Sequence, residues 1–312
     1  MAKRLVLVGL TVAQPAAVAA DYVSRAGLGG VSRAPFFVAA APSSTAPGLG
    51  VLPLGWGPGG TLARRRGATQ LFFLSDDVSA DAEQARGLGC EVSIDAESTE
   101  LSVARIDVLP LGLRLHLLQS PRIPTASELL EFLSRSMLGD KRTTDDEVTT
   151  TSGFAGVLDH MAIDVVDADR ARQLVTSLLG YCTLEELAVP HPTGDARVRV
   201  MQDEDARFQI VLGDTDAGGA HPIARQIAAR EGPGAHHVAH RVTSLPQAME
   251  DVQRRGAHMI GSIREAPGLR QVFMRWADDG ILHELIERTG VSGFVERNTA
   301  SLLADGLEEA NR

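Results

Sequence analysis

The chain has 312 residues, of which 44% are hydrophobic and 22% charged, and a formal net charge of −10. That length suits one large or two medium domains with real cores, and the acidic balance excludes nonspecific nucleic-acid binding, which needs clustered cations. Cys90 and Cys182 are too far apart for a disulfide framework or a zinc motif, and no apolar run is long enough to span a bilayer, so a reduced cytoplasmic protein is expected.

Lys3-Arg4 and the apolar residues that follow have the look of a signal peptide, but they read better as a strand, Arg4–Leu10, and an Ala-rich helix, Pro15–Ala26, ended by Gly27. Pro35–Ala41 and Leu49–Trp56 are predicted strands joined by an Ala/Pro/Ser-rich loop. Gly55 to Gly60 match GxGxxG in form. The next strand, Ala68–Leu74, follows too soon for a parallel crossover, so the match is read as a turn. Arg64-Arg65-Arg66 reads as a solvated turn. Ser79–Leu88 is helical in composition. Glu91–Ile94, Val103–Leu109 and Leu113–Gln119 are strands, and Thr125–Leu138 is an amphipathic helix. The polar stretch 140–153 is the candidate interdomain linker.

The second half repeats the same grammar. Leu158–Val165 is a strand, Ala168–Leu179 a helix closed by Gly180, and Thr183–Leu187, Arg197–Met201 and Phe208–Leu212 are strands. After a connecting helix, His221–Glu231, the pattern recurs. It runs as strand His236–Val242, helix Leu245–Arg255 with Ser244 and Gln247 as a capping box, then strands His258–Gly261, Leu269–Trp276 and Ile281–Glu287. Asn298–Ala310 is a final helix.

This is a tandem repeat of βαβββ units. The expected fold is α+β, with four such units forming two half-open barrels. Residues 1–139 would be a diverged structural pair, and 154–312 a catalytic pair with a C-terminal helix lid.

Three positions stand out within apolar strands: His160, His237 and Glu284. Two histidines and one carboxylate from separate strands make the donor set of a non-haem Fe(II) centre with open positions. The competing reading is three unrelated residues of an ordinary sheet. The repeat favours convergence, because His160 and His237 open consecutive units and Glu284 lies on the last strand. The first strands of the first half, Leu5–Leu10 and Ala68–Leu74, contain no histidine, which predicts a single site. Gln271 and Phe273 share one strand face and could line a pocket. His236, His240 and His283 are expected to be supporting or core residues, and His191 and His221 to be exposed.

These residues resemble 4-hydroxyphenylpyruvate dioxygenase and 4-hydroxymandelate synthase, within the vicinal-oxygen-chelate superfamily. The likeness is carried by Leu158-Asp-His160, Gly232 to Ala239, Gln271-Val-Phe273, His283 to Arg288, and Gly293-Phe294 followed by Asn298. It implies His160, His237 and Glu284 as iron ligands. It also implies Gln271, Phe273 and Asn298 at the reaction site, and Phe294, Leu212 and Thr299 as further pocket residues. The implied chemistry is oxidative decarboxylation of a 2-oxo acid by dioxygen, coupled to hydroxylation of the same molecule. The chain departs from the family pattern at His236, where the family has Gln. It departs again at Gln209 to Asp214, which lacks the family's Asn, and at Thr299, where the family has an aromatic ring. These changes fall on the substrate pocket and spare the metal, so the resemblance does not fix 4-hydroxyphenylpyruvate as the substrate, and another aryl or an aliphatic 2-oxo acid stays open. Rival readings on the same fold are an extradiol catechol dioxygenase, a glyoxalase-type metal lyase and a metal-free binding protein. A homo-oligomer stays open.

Overall fold

A computed structural model describes residues 3–28, 30–33, 36–39, 47–53, 67–98, 101–120, 124–125, 128–129, 131, 133, 147–149, 157–205, 208–266, 268–275, 277, 279–290 and 294. The GxGxxG turn, the last helix with Asn298 and Thr299, and most of the linker lie outside them.

Two mixed sheets account for the architecture. The first half supplies β1 (Leu5–Val12), β2 (Gly30–Arg33), β3 (Phe36–Ala39), β4 (Gly48–Pro53), β5 (Gly67–Leu74), β6 (Glu91–Ser98), β7 (Leu101–Val108), β8 (Leu113–Gln119) and β9 (Glu147–Thr149). The second supplies β10 (Val157–Asp164), β11 (Cys182–Val189), β12 (Ala196–Gln202), β13 (Gln209–Thr215), β14 (Gly234–Arg241), β15 (His258–Ala266), β16 (Leu269–Arg275) and β17 (Leu282–Arg288). The sheet orders are β6-β7-β8-β5-β1-β4-β3-β2-β9 and β11-β12-β13-β10-β14-β17-β16-β15. Each is two βαβββ units joined through their first strands, β1 against β5 and β10 against β14, both antiparallel. The sheets keep free edges and do not close into barrels. This is the α+β arrangement of tandem units that the sequence predicts. The short strands β2 and β9, which pair with each other at the sheet edge, were not predicted; β9 falls inside the stretch read as linker.

Local chemistry explains the helices. In α1 (Pro15–Asp21) Pro sits in the first turn, and the chain continues as a π turn, Tyr22–Ala26, stopped by Gly27 at φ 69°. α2 (Val78–Gly87) starts on the Asp77 side chain, which accepts from the Ala80 N–H at 2.9 Å. In α3 (Ala168–Leu179) Ala168, Ala171, Leu174, Val175, Leu178 and Leu179 form one buried apolar stripe. Asp167 caps its start, and Gly180 ends it at φ 72°. α4 (Pro222–Ala229) and α5 (Leu245–Arg254) connect and complete the last unit.

The predicted capping box at Ser244 does not form. Glu287, on the neighbouring β17, accepts from the Leu245 N–H at 2.7 Å instead. Asp214 on β13 does the same for the Ala168 N–H at 3.0 Å. A strand carboxylate reaching the helix start is therefore repeated in both units, and it satisfies donors the helix cannot.

Helix-side residues of both sheets, from Val8 and Leu115 to Met161 and Leu285, belong to one apolar core. A buried polar chain also crosses between the halves. The Tyr22 hydroxyl donates to Asp279 Oδ2 at 2.5 Å, His283 Nε2 lies 2.7 Å from the same oxygen, and His283 Nδ1 lies 3.1 Å from His240 Nε2. The opposite face of the first sheet is filled by Leu7, Phe36, Leu52, Phe72, Leu129 and Leu133. The opposite face of the second sheet carries the candidate site.

Candidate metal centre

Strand alternation decides which side chains meet. His160 pairs with Ala239, Ala162 with His237, and Glu284 with both Ala239 and Phe273. Paired residues share a face, so the three predicted donors all project from the face away from the helices. His160 Nε2 lies 3.1 Å from His237 Nε2 and 3.3 Å from Glu284 Oε2, and His237 Nε2 lies 3.1 Å from that same oxygen. Bonds of about 2.1 Å at right angles put the donor atoms of one ion about 3 Å apart, so the triangle has the size that a shared ion requires. Among the described residues these three are the group able to hold a metal.

The electrostatics agree with this geometry. Neither buried Glu284 oxygen has an aligned hydrogen-bond donor, although two imidazole nitrogens lie beside it. Three lone-pair atoms crowded together repel one another unless a cation or a proton lies among them. Burial alone would push the Glu284 carboxyl up, but the His160 and His237 imidazoles outweigh it and hold the group down at about 2. Burial also depresses His160, but Glu284 and Asp159 more than offset it and raise that ring. At His237 burial wins, and the ring is lowered. The donor set (two imidazoles and one carboxylate, with no thiolate) fits a first-row ion such as Fe(II) and leaves positions for ligands.

Each imidazole is oriented from behind. His160 Nδ1 lies 3.0 Å from Asp159 Oδ1, and the Arg288 guanidinium clamps Asp159 at 2.7 Å and 3.0 Å. Burial would raise the Asp159 carboxyl, but His160 and Arg288 hold it well below the usual carboxylate range. A β-bulge between Leu158 and His160 adds Asp159 as an extra residue, so ligand and support come from adjacent positions. A second bulge frees His236 from the alternation, and its Nδ1 lies 2.6 Å from His237 Nδ1. His236 thus lies against His237 rather than on the opposite face, as strict alternation would have placed it. Partners of this kind fix the tautomer and ring plane of a ligand histidine.

Around the donors lie the predicted pocket residues. The Phe273 and Phe294 rings approach His237 and His160 edge-on at 5.1 Å and 4.9 Å. Gln271 is fully buried, and neither end of its amide has a hydrogen-bond partner.

Leu212 is a correction. It lies in the helix-side core with Met161, Ile163 and Ile210, because Ile210 and Leu212 share the wrong parity for the site. Its neighbour Val211 packs instead with Ala239, Ile286 and Phe294 on the site face. His221 is a second correction. It is fully buried rather than exposed, and its Nδ1 accepts from the Ile223 N–H at 3.2 Å, capping α4. His240 and His283 lie in the buried inter-half chain, as the core reading expected.

Sequence reasoning missed a feature of the first half. In β5 and β8, Phe72 pairs with His116, while Leu7 pairs with Phe72. The same registers in the second half relate Ala239 to Glu284 and to His160. Leu7, Gln70 and His116 therefore occupy the positions of His160, His237 and Glu284. His116 Nε2 lies 2.7 Å from Gln70 Oε1, and its ring stacks on Phe72 at 4.2 Å. The signal is His116 itself, which lies on β8, a closing strand, and not on the strands that open each unit.

Residues 159–273 match the Glyoxalase/Bleomycin resistance protein/Dioxygenase superfamily. A mutant of 4-hydroxymandelate synthase from Streptomyces coelicolor superposes with a TM-score of 0.73 over 99% of both chains at 16% identity. A xylose isomerase-like TIM barrel/4-hydroxyphenylpyruvate dioxygenase fusion protein superposes with a TM-score of 0.64 at 16% identity; 99% of this chain matches 53% of that one. No curated protein matches in sequence. At this identity the likeness is one of fold, and the fold is that of the vicinal oxygen chelate proteins.

Proposed function

We propose that this chain is a non-haem Fe(II)-dependent dioxygenase, coupling the oxidative decarboxylation of a 2-oxo acid to hydroxylation of the same molecule. The observation that carries the reading is the convergence of His160 Nε2, His237 Nε2 and Glu284 Oε2 within 3.3 Å on a buried sheet face. Ferrous ion held by them would supply a chelation point for the carboxylate and keto oxygens and a binding position for dioxygen.

The chain's own residues do the rest. Asp159 and His236 hold the two imidazoles with Nε2 free to ligate. Phe273 and Phe294 flank those rings and exclude water. Gln271 offers a buried amide to a polar group of the substrate. Asn298 and Thr299 would close the pocket from the C-terminal helix. Residues 1–139 would be structural: the face that corresponds to the site holds apolar side chains packed around the Gln70–His116 pair, and Leu7 stands where His160 would. The linker would be 140–153 and the catalytic pair 154–312. No described helix is long and apolar enough to cross a membrane.

The test is oxygen uptake by the Fe(II)-loaded protein with a panel of aryl and aliphatic 2-oxo acids. Uptake that disappears in the H237A variant supports the reading, and no uptake with any of them overturns it. The extradiol alternative needs a free pocket base. His240 lies on the helix side, and His236 holds His237 through Nδ1, so this alternative rests on the buried His236 Nε2 alone and is the weaker reading. Ring-cleavage absorbance with catechols would reverse that judgement.

A further inference from the structure

We propose that dioxygen reaches the metal centre through a cavity behind His236, apart from the pocket that takes the organic acid. The proposal rests on the function above only for the identity of the gas; the cavity stands on its own geometry. It has a volume of about 180 Å³ and lies where the end of α4 and the starts of β14 and β17 meet. Pockets for organic ligands run to about 300–1,000 Å³, so this one is undersized for an aryl 2-oxo acid. Ala235, Ala277, Ile281 and Leu282 give it small apolar walls, and among the described residues no carboxylate lines it. Two arginines line it too, and neither is a free cation. Arg230 is held by Asp164 at 2.8 Å and by the Gly234 carbonyl at 3.0 Å, and Arg275 also has a partner in the protein. The cavity therefore suits a small uncharged guest.

A single layer of side chains separates the cavity from the donors. His236 and Leu282 belong to its wall. The His236 ring lies 4.9 Å from that of His237, centre to centre, and Nδ1 meets Nδ1 at 2.6 Å. Leu282 is the strand partner of His237 and packs on Phe273, the ring that flanks it. Among the described residues Gln271, Phe273 and Phe294 mark the organic pocket, and none of them lines the cavity, so the two openings are separate. The layer is held lightly at His236. When His237 Nε2 ligates, its Nδ1 carries the proton and donates to His236 Nδ1. The buried Nε2 of His236 has no hydrogen-bond partner, so turning that ring aside breaks one hydrogen bond.

A 2-oxo acid held through two oxygens covers the approach by which it came. A gas that follows needs a way the acid does not cover, and the cavity supplies one. Dioxygen is small and apolar, so alanine walls and one imidazole admit it where a hydrated carboxylate is refused.

Two gases test this without turnover. Xenon pressed into crystals of the metal-free protein should occupy the cavity, as it does apolar voids of similar size. Ala277→Leu fills the space and should remove that density. Ala229→Phe, at an exposed position on the cavity edge, is a second filler in case the first does not fold. In the Fe(II)-loaded protein nitric oxide is the probe, and its association is followed by absorbance. Its rate should fall at least threefold in the fillers, with metal affinity within twofold of the parent, which a general distortion would not spare. No xenon in the parent cavity overturns the proposal, as does a smaller fall in rate in every filler that folds. Oxygen uptake is measured separately. Uptake with an unchanged nitric oxide rate removes only the cavity path. A slowed rate without uptake by any 2-oxo acid removes only the dioxygenase reading.

Discussion

Asp159→Asn is the most informative single change outside the donor set. The side chains of Asp159 and Arg288 are 5% and 7% exposed, and they meet through two short parallel contacts of 2.7 Å and 3.0 Å. The amide keeps an oxygen for His160 Nδ1 but loses the charge that neutralises the guanidinium. Arg288 keeps its contacts with the Gln209 amide oxygen at 3.2 Å and the Phe294 ring at 4.9 Å. Breaking a buried pair of this kind costs about 3–5 kcal/mol, a large part of the stability of a typical domain.

Metal affinity should fall by about 10–100-fold, because His160 loses the carboxylate that orients it. The pH dependence has a definite sign. A carboxyl held below its unfolded value contributes stability that is present above about pH 4 and lost as pH falls through its native range. The variant should therefore show a shallower acid limb than the parent. Urea denaturation of the metal-free protein gives the stability, and competition with a chromogenic chelator gives the affinity. A stability loss under 1 kcal/mol together with an affinity within twofold of the parent would refute the account of Asp159.

Tyr22→Phe removes the buried hydroxyl that reaches Asp279 across the two halves, and should cost about 1–3 kcal/mol in the same denaturation assay; a change below 0.3 kcal/mol would mean the contact is energetically idle. Adding ferrous or zinc ion at about 100 times its dissociation constant should stabilise the fold by about 2.7 kcal/mol, read as a rise in melting temperature that a chelator reverses and the H160A variant lacks. Burial, with help from His191 and Arg225, lowers His221 to about 4. Its unfolded value is about 6.5, so acidification from pH 6.5 to 4 protonates the unfolded chain first and drains stability over that window. His221→Asn keeps an acceptor at the helix start and should flatten that window; an unchanged slope would contradict the assignment.

The repeat, and with it the convergence of His160, His237 and Glu284, was legible because apolar runs, helix stops and histidines recur at matching places. The donors also obey strand alternation. What escaped the reading depends on pairing between strands. Leu212 falls on the core side because parity along β13 is fixed by its partner β10, which the sequence does not declare. His236 and Arg264 owe their positions to bulges, the first changing the facing of a side chain and the second its cross-strand partner, without altering composition. The capping role of Glu287 at α5 comes from a residue some forty positions away. Gly30–Arg33 forms a strand only because β3 and β9 flank it, and four residues ending near a proline give little signal of their own.

The common apolar body shared by the helix sides of both sheets has a thermodynamic corollary. Heat cannot release one half while the other stays ordered, since each would leave a wide greasy wall facing solvent. Calorimetry should record a single endotherm for the whole polypeptide. A fragment beginning at the linker would inherit the donors intact, yet it would need a new cover for that wall before it could stay in solution.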